Sequence, residues 1–172
     1  LGTQYLHGSL AYFRQINAAG GIHGRQVRII SYDDAYDPPR TVANTKKLVS
    51  EDSVFMLFDY VGTPTSVRIV SAVHEAGIPA FGFLTGAEAL RTPFRPTMFH
   101  LRASYYVEAE GAIDYFAGQL EQDRIAVVYQ DDAFGLAVLG GVQLATRRRS
   151  LEIVATDTLT RGSLYVDRAV AT

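Results

Sequence analysis

Val54-Phe55-Met56-Leu57-Phe58-Asp59-Tyr60-Val61-Gly62-Thr63-Pro64-Thr65-Ser66 is the stretch on which the fold turns. Its first five residues are an unbroken apolar run of strand length, without the polar alternation of a sheet that faces water on one side. A loop carrying Gly62, Thr63, Thr65 and Ser66 follows, and then a helix to about Ala76. A strand that leads through a short loop into a helix is half of a βαβ unit. Such a unit implies a parallel sheet covered on both faces.

The same grammar extends in both directions. Downstream, Ile78–Phe83 is the next strand, Thr85-Gly86-Ala87-Glu88 opens a helical turn, and Met98–Leu101 is a further short strand. Ala109, Ile113, Phe116 and Leu120 mark a long helix. Ile125–Tyr129 predicts a strand, residues 133 to about 148 a helix, and Leu151–Ala155 another strand. Upstream, Leu6, Leu10, Phe13 and Ile16 share one helical face that stops at Ala19-Gly20-Gly21, where glycine accommodates a left-handed helix end. Val27–Tyr32 predicts a strand, followed by the acidic loop Asp33–Asp37. Pro38 and Pro39 open a helix with Val42, Thr45, Leu48 and Val49 on its inner side. The fold class is therefore α/β with doubly wound parallel sheets. The chain opens on a helix, where a doubly wound domain opens on a strand, and it stops as the helix after Ala155 begins. It reads as a piece of a longer protein, incomplete at both ends. A lobe boundary is expected near Arg102-Ala103-Ser104-Tyr105.

Composition narrows the class. With 172 residues and 48% hydrophobic content the chain can bury a substantial core. A formal net charge of −2 argues against nucleic acid as a partner. The cluster Arg147-Arg148-Arg149 reads as a helix end, where cations meet the negative pole of the dipole. Cysteine is absent, which removes disulfides, thiolate nucleophiles and Cys-based zinc sites. No apolar run approaches the ~20 residues that span a bilayer, and no signal peptide is present, as expected for a mature, trimmed or cytosolic chain.

In open parallel sheets, ligands sit beyond the carboxyl ends of the strands. Two loops stand out there: Gly62-Thr63-Pro64-Thr65-Ser66 and Leu84-Thr85-Gly86. Both combine glycine with hydroxyls and feed helix starts, whose free N–H groups suit a carboxylate. Helix capping by Thr63, Thr65 and Thr85 is the competing explanation. The pairs Asp33-Asp34 and Asp131-Asp132 read as turn and cap residues, since neighbours in a turn point in different directions. Chemistry finds little support. His7, His23, His74 and His100 are scattered, and no GxSxG, GxxxxGK[ST] or post-strand GxGxxG occurs. The reading is a binding protein without catalytic residues, metal or cofactor.

"INAAGGIHGRQVRIISYDD" (Ile16 to Asp34) resembles the segment after the first helix in leucine/isoleucine/valine-type periplasmic binding proteins, the extracytoplasmic receptors of ABC importers. The resemblance continues in register through "DPPRTVANTKKLVSEDSVFMLFDYVGTPTS", "AGIPAFGFLTGAEALR", "HLRASYY" and "RIAVVYQDDAFG". It implies a type I periplasmic-binding fold, with two Rossmann-like lobes closing on a ligand. Residues 1–103 would be the first lobe, lacking its first strand, and 104–172 the start of the second. It also implies a periplasmic location and two partners: a small amino acid or organic acid, and the membrane permease of an ABC importer. A sensor domain of a membrane receptor with this fold is the alternative, and an α/β enzyme the third reading. By the same resemblance, Gly62, Thr63, Thr65 and Ser66 would help hold a ligand carboxylate. Leu84, Thr85 and Gly86 would bind the head group. Leu1 and Gly2 fall in a ligand-facing loop. Phe134 stands where many relatives place a tyrosine over the ligand. Tyr106, with Tyr105, lies at the lobe crossing, as a cleft or a hinge residue.

Overall fold

The computed structural model describes residues 1–171. Helix α1 spans Gly2–Ala18 and α2 Pro38–Ser50. Strand β1 (Leu57–Phe58) leads into α3 (Thr63–Arg68) and α4 (Val70–Ala76), then β2 (Ala80–Phe81) and β3 (Met98–Phe99). Helix α5 (Tyr105–Ile113) continues as a π-helical turn to Gln119. Then come β4 (Ile125–Gln130), α6 (Ala133–Arg148), β5 (Ile153–Leu159) and α7 (Asp167–Ala171).

The strands form two parallel sheets. β1, β2 and β3 lie in that order with Leu57 beside Ala80 and Ala80 beside Met98. β4 pairs with β5, with Val128 beside Asp157. The first sheet carries the core. Leu57, Ile69, Val73, Ala80, Phe83, Leu90 and Met98 are buried together, and α2 leans Val42, Leu48 and Val49 on them. Each fully buried aliphatic side chain contributes about 1.5–3 kcal/mol. α1 packs more lightly: Leu6, Leu10, Phe13 and Ile16 are half-buried, with the Phe13 ring 5.9 Å from Phe58. It ends as predicted, Gly21 N–H donating to Ile16 O with Gly20 and Gly21 both at positive φ.

Several boundaries differ from the sequence reading. Among the described residues Val27–Tyr32 is no strand, because its backbone joins neither sheet. Val27 is held instead by Asn17, whose side chain donates to its carbonyl and accepts from its N–H, both at 2.8 Å. In the run 54–58, Val54 N–H closes the end of α2 on Leu48 O and Phe55 is 85% exposed, so pairing starts only at Leu57. The ladders of 78–83 and 98–101 shrink to two residues each, and β5 runs later than expected, to Leu159. The helix after Ser66 breaks at Ile69, which is fully buried.

One short segment carries the chain from the first sheet to the second. Arg91 Nη2 donates to Arg102 O at 3.0 Å, and Tyr105 N–H donates to Gly86 O at 2.7 Å. Ser104 then caps α5 by accepting from Val107 N–H. Across the crossing, α5 packs closely on α6. Gly141 makes this possible, since a Cβ there would meet Tyr105 O at 2.8 Å. The basic end of α6 serves as a dipole partner and more: Arg148 pairs with Glu110 and Arg149 with Asp114.

Candidate functional site

The two loops singled out in the sequence meet. β1 and β2 are adjacent and parallel, and the ladder extends to a bridge between Val61 and Leu84, so the residues just beyond are neighbours. Thr63 Oγ1 and Thr85 Oγ1 are hydrogen-bonded at 2.6 Å. Thr85 Oγ1 also accepts from Ala87 N–H at 3.2 Å. A hydroxyl has one hydrogen and two lone pairs. The pair thus holds two hydrogens, of which their mutual bond uses one. The other is left over whichever threonine donates. Both side chains are nearly inaccessible, at 2% and 0% exposure.

The remaining loop residues play different parts. Thr65 Oγ1 turns back on its own chain, donating to Val61 O at 2.6 Å, as a helix-start residue does. Ser66 Oγ is fully buried and has no hydrogen-bond partner among the described residues. Leu84 N–H donates to Tyr60 O at 2.8 Å, which locks the second loop to the first strand. Gly2 lies beside Val61, so the start of α1 borders the same loop.

Two glycines admit two aromatic rings. A Cβ on Gly62, which sits at φ 96°, would collide with the Tyr36 ring. A Cβ on Gly86 would lie 2.8 Å from Tyr105 Cδ1. Tyr105 in turn meets Phe134 edge-on, with centroids 5.5 Å apart. Phe134 follows the α6 cap, where Asp132 accepts from the N–H groups of Phe134 and Gly135 at 2.9 and 3.1 Å. Tyr106 is not brought to the threonine pair; its hydroxyl lies over Gly140 of α6. Successive helical residues point about 100° apart, so only Tyr105 of the two faces Gly86. A groove of about 410 Å³ runs along Tyr105, Ala109, Phe134 and Val138, and neither Thr63 nor Thr85 lines it.

Sequence reasoning missed Tyr36. Its ring covers Gly62, and Arg161 from the loop after β5 lies over it, 4.9 Å from guanidinium to ring centre. Burial pushes the Tyr36 hydroxyl pKa up, and the charge of Asp132 adds to this while Arg161 opposes it. The signal was its place in an acidic turn after the expected strand Val27–Tyr32. The acids of that turn act as expected: Asp33 accepts from Ala35 N–H, Asp34 from Tyr36 N–H and Asp37 from Arg40 N–H, at 2.8 to 2.9 Å. Asp132 is likewise a cap residue, as expected of the pair Asp131-Asp132.

A second missed group is Asp59, the last residue before Tyr60, at φ 57°. Ser9 donates to it from α1 at 2.6 Å, and Tyr5 also hydrogen-bonds it. Burial raises its pKa above the ordinary carboxylate value against the pull of those two hydroxyls. His100, a candidate base by type, donates from Nε2 to Leu90 O at 3.2 Å, and burial lowers its pKa.

Comparison with known proteins bears on what this arrangement is for. The family model "Periplasmic binding protein" matches residues 1–169. A curated "Amino acid binding protein" of Pseudomonas aeruginosa is 26% identical over 163 residues, which are 94% of this chain and 43% of that protein. The crystal structure of a substrate-binding periplasmic protein from Ralstonia solanacearum is similar at 31% identity and a TM-score of 0.87, over 95% of this chain and 46% of that one. A possible leucine/isoleucine/valine-binding protein from Rhodopirellula baltica follows at 27% and 0.86, over 99% and 47%. The chain spans about half the length of the relatives it matches.

Proposed function

We propose, from the premise that this chain belongs to the periplasmic binding protein family, that it captures a small amino acid or organic carboxylate outside the cytoplasm and hands it to the permease of an ABC importer. In this reading residues 1–103 and 104–172 are parts of two lobes that close on the solute. The observation that carries it is the Thr63–Thr85 hydroxyl pair at the carboxyl ends of adjacent parallel strands, with one hydrogen left to give. Neutral donors suit reversible capture, because no buried cation has to be stripped of water and returned to it. Gly62 and Gly86 let Tyr36 and Tyr105 wall the same spot.

Binding without turnover is the companion proposal. The relatives' names describe binding. The buried hydroxyl of Ser66 has no hydrogen-bond partner among the described residues, and His100 is bonded to a backbone carbonyl.

A thermal-shift panel of amino acids and small organic acids tests the proposal. A true ligand at a hundredfold its Kd stabilises by about 2.7 kcal/mol, a clear rise in melting temperature. The rise should vanish in Thr63→Val and Thr85→Val while both variants stay folded. A panel that moves nothing, or a shift that survives both substitutions, sinks the reading.

A further inference from the structure

The contact between Tyr36 and Arg161 joins residues 125 apart in sequence, one on the loop before α2 and one beyond β5. It has two parts: Arg161 Nη1 donates to Tyr36 O at 3.0 Å, and the guanidinium lies over the Tyr36 ring. A planar cation makes both at once, where a lysine would make one. Among the described residues no carboxylate lies within ion-pair distance of Arg161.

The first body is shaped to present Tyr36. Ala35 and Tyr36 both have left-handed backbones, at φ 51° and 59°, a conformation that costs non-glycine residues energy. Two aspartates hold them there: Asp33 accepts from Ala35 N–H and Asp34 from Tyr36 N–H, and Asp34 is itself fixed by Thr41 Oγ1 at 2.6 Å. Gly62 leaves room for the ring. Strain, two side-chain clamps and a glycine recess converge on one residue, and what that residue meets across the gap is Arg161.

We propose that Tyr36 and Arg161 are positioning residues that form a clasp between the two lobes, holding them closed before any solute arrives. The clasp sets the closed-to-open ratio, and through it the apparent affinity. It rests on the two-lobe reading above but not on which solute is bound.

The chain has no cysteine, so a labelled pair can be introduced cleanly. Lys46→Cys on α2 and Arg147→Cys on α6 are both exposed sites. Spin labels there report the distance between the bodies by electron–electron resonance, with no ligand present. In this background the parent chain should give one narrow, short distance. Arg161→Ala and Tyr36→Leu should each add a longer one, with a fall of about tenfold in the closed-to-open ratio. The double variant should fall no further than either single one, and Arg161→Lys should lie between. An unchanged distance in Arg161→Ala, or additive effects of the two substitutions, overturns the clasp. Because no solute is present, that failure leaves solute capture standing, and a failed thermal-shift panel leaves the clasp standing.

Discussion

Four residues decide how the site is built, and three predictions rest on them. Thr63 and Thr85 share a buried hydrogen bond, so Thr85→Val leaves one buried hydroxyl with a partner fewer. The expected cost is about 1–2 kcal/mol in urea unfolding. Gly62 combines a positive φ with contact to the Tyr36 ring, so Gly62→Ala should cost more, about 2 kcal/mol or above. It should also change the environment of Tyr36 in near-ultraviolet circular dichroism. Asp59 titrates with a definite sign. Burial favours its protonated form in the fold, so its pKa is raised. The stability it contributes is present in acid and is lost as pH rises above the ordinary carboxylate range. Asp59→Asn keeps an acceptor for Ser9 and tolerates the left-handed backbone. It should therefore gain stability over the parent on going from about pH 3 to about pH 7, with Ser9 and Tyr5 as the neighbouring groups. No change with pH would show that water reaches the carboxylate freely.

The elements show where sequence patterns speak and where they fall silent. α6 was legible to the residue, because Asp132 announces its start and arginines its end. Removing that cap in Asp132→Ala should cost about 1 kcal/mol and loosen Phe134 against Tyr105. Strands were legible in place but not in length. A run such as Val54–Phe58 signals burial, whereas a ladder needs a neighbour in register, and Val54 finds its bond on α2 instead. Val27–Tyr32 carries the composition of a strand but pairs with no strand among the described residues. Which of Tyr105 and Tyr106 faces the loops also lay beyond the pattern, since it depends on where α5 begins.

At the scale of the whole molecule, the adjacency of the two hydroxyl loops followed from the order of βαβ units, a property of topology that the sequence displays. The cover of Tyr36 and Arg161 did not, because it joins loops distant in the chain. The second sheet also behaves differently from the first. Along β4 and β5 alternate residues are exposed, with Val128 at 51% and Val154 at 52%. The crossing at 102–105 has a further bearing. Tyr105 N–H is bonded to the carbonyl of Gly86, the residue next to Thr85, so one hydrogen bond couples the crossing to the threonine pair. Under the proposed closure of two lobes, movement at the crossing acts as a lever on the threonine pair, and a guest that steadies the pair stiffens the crossing in turn.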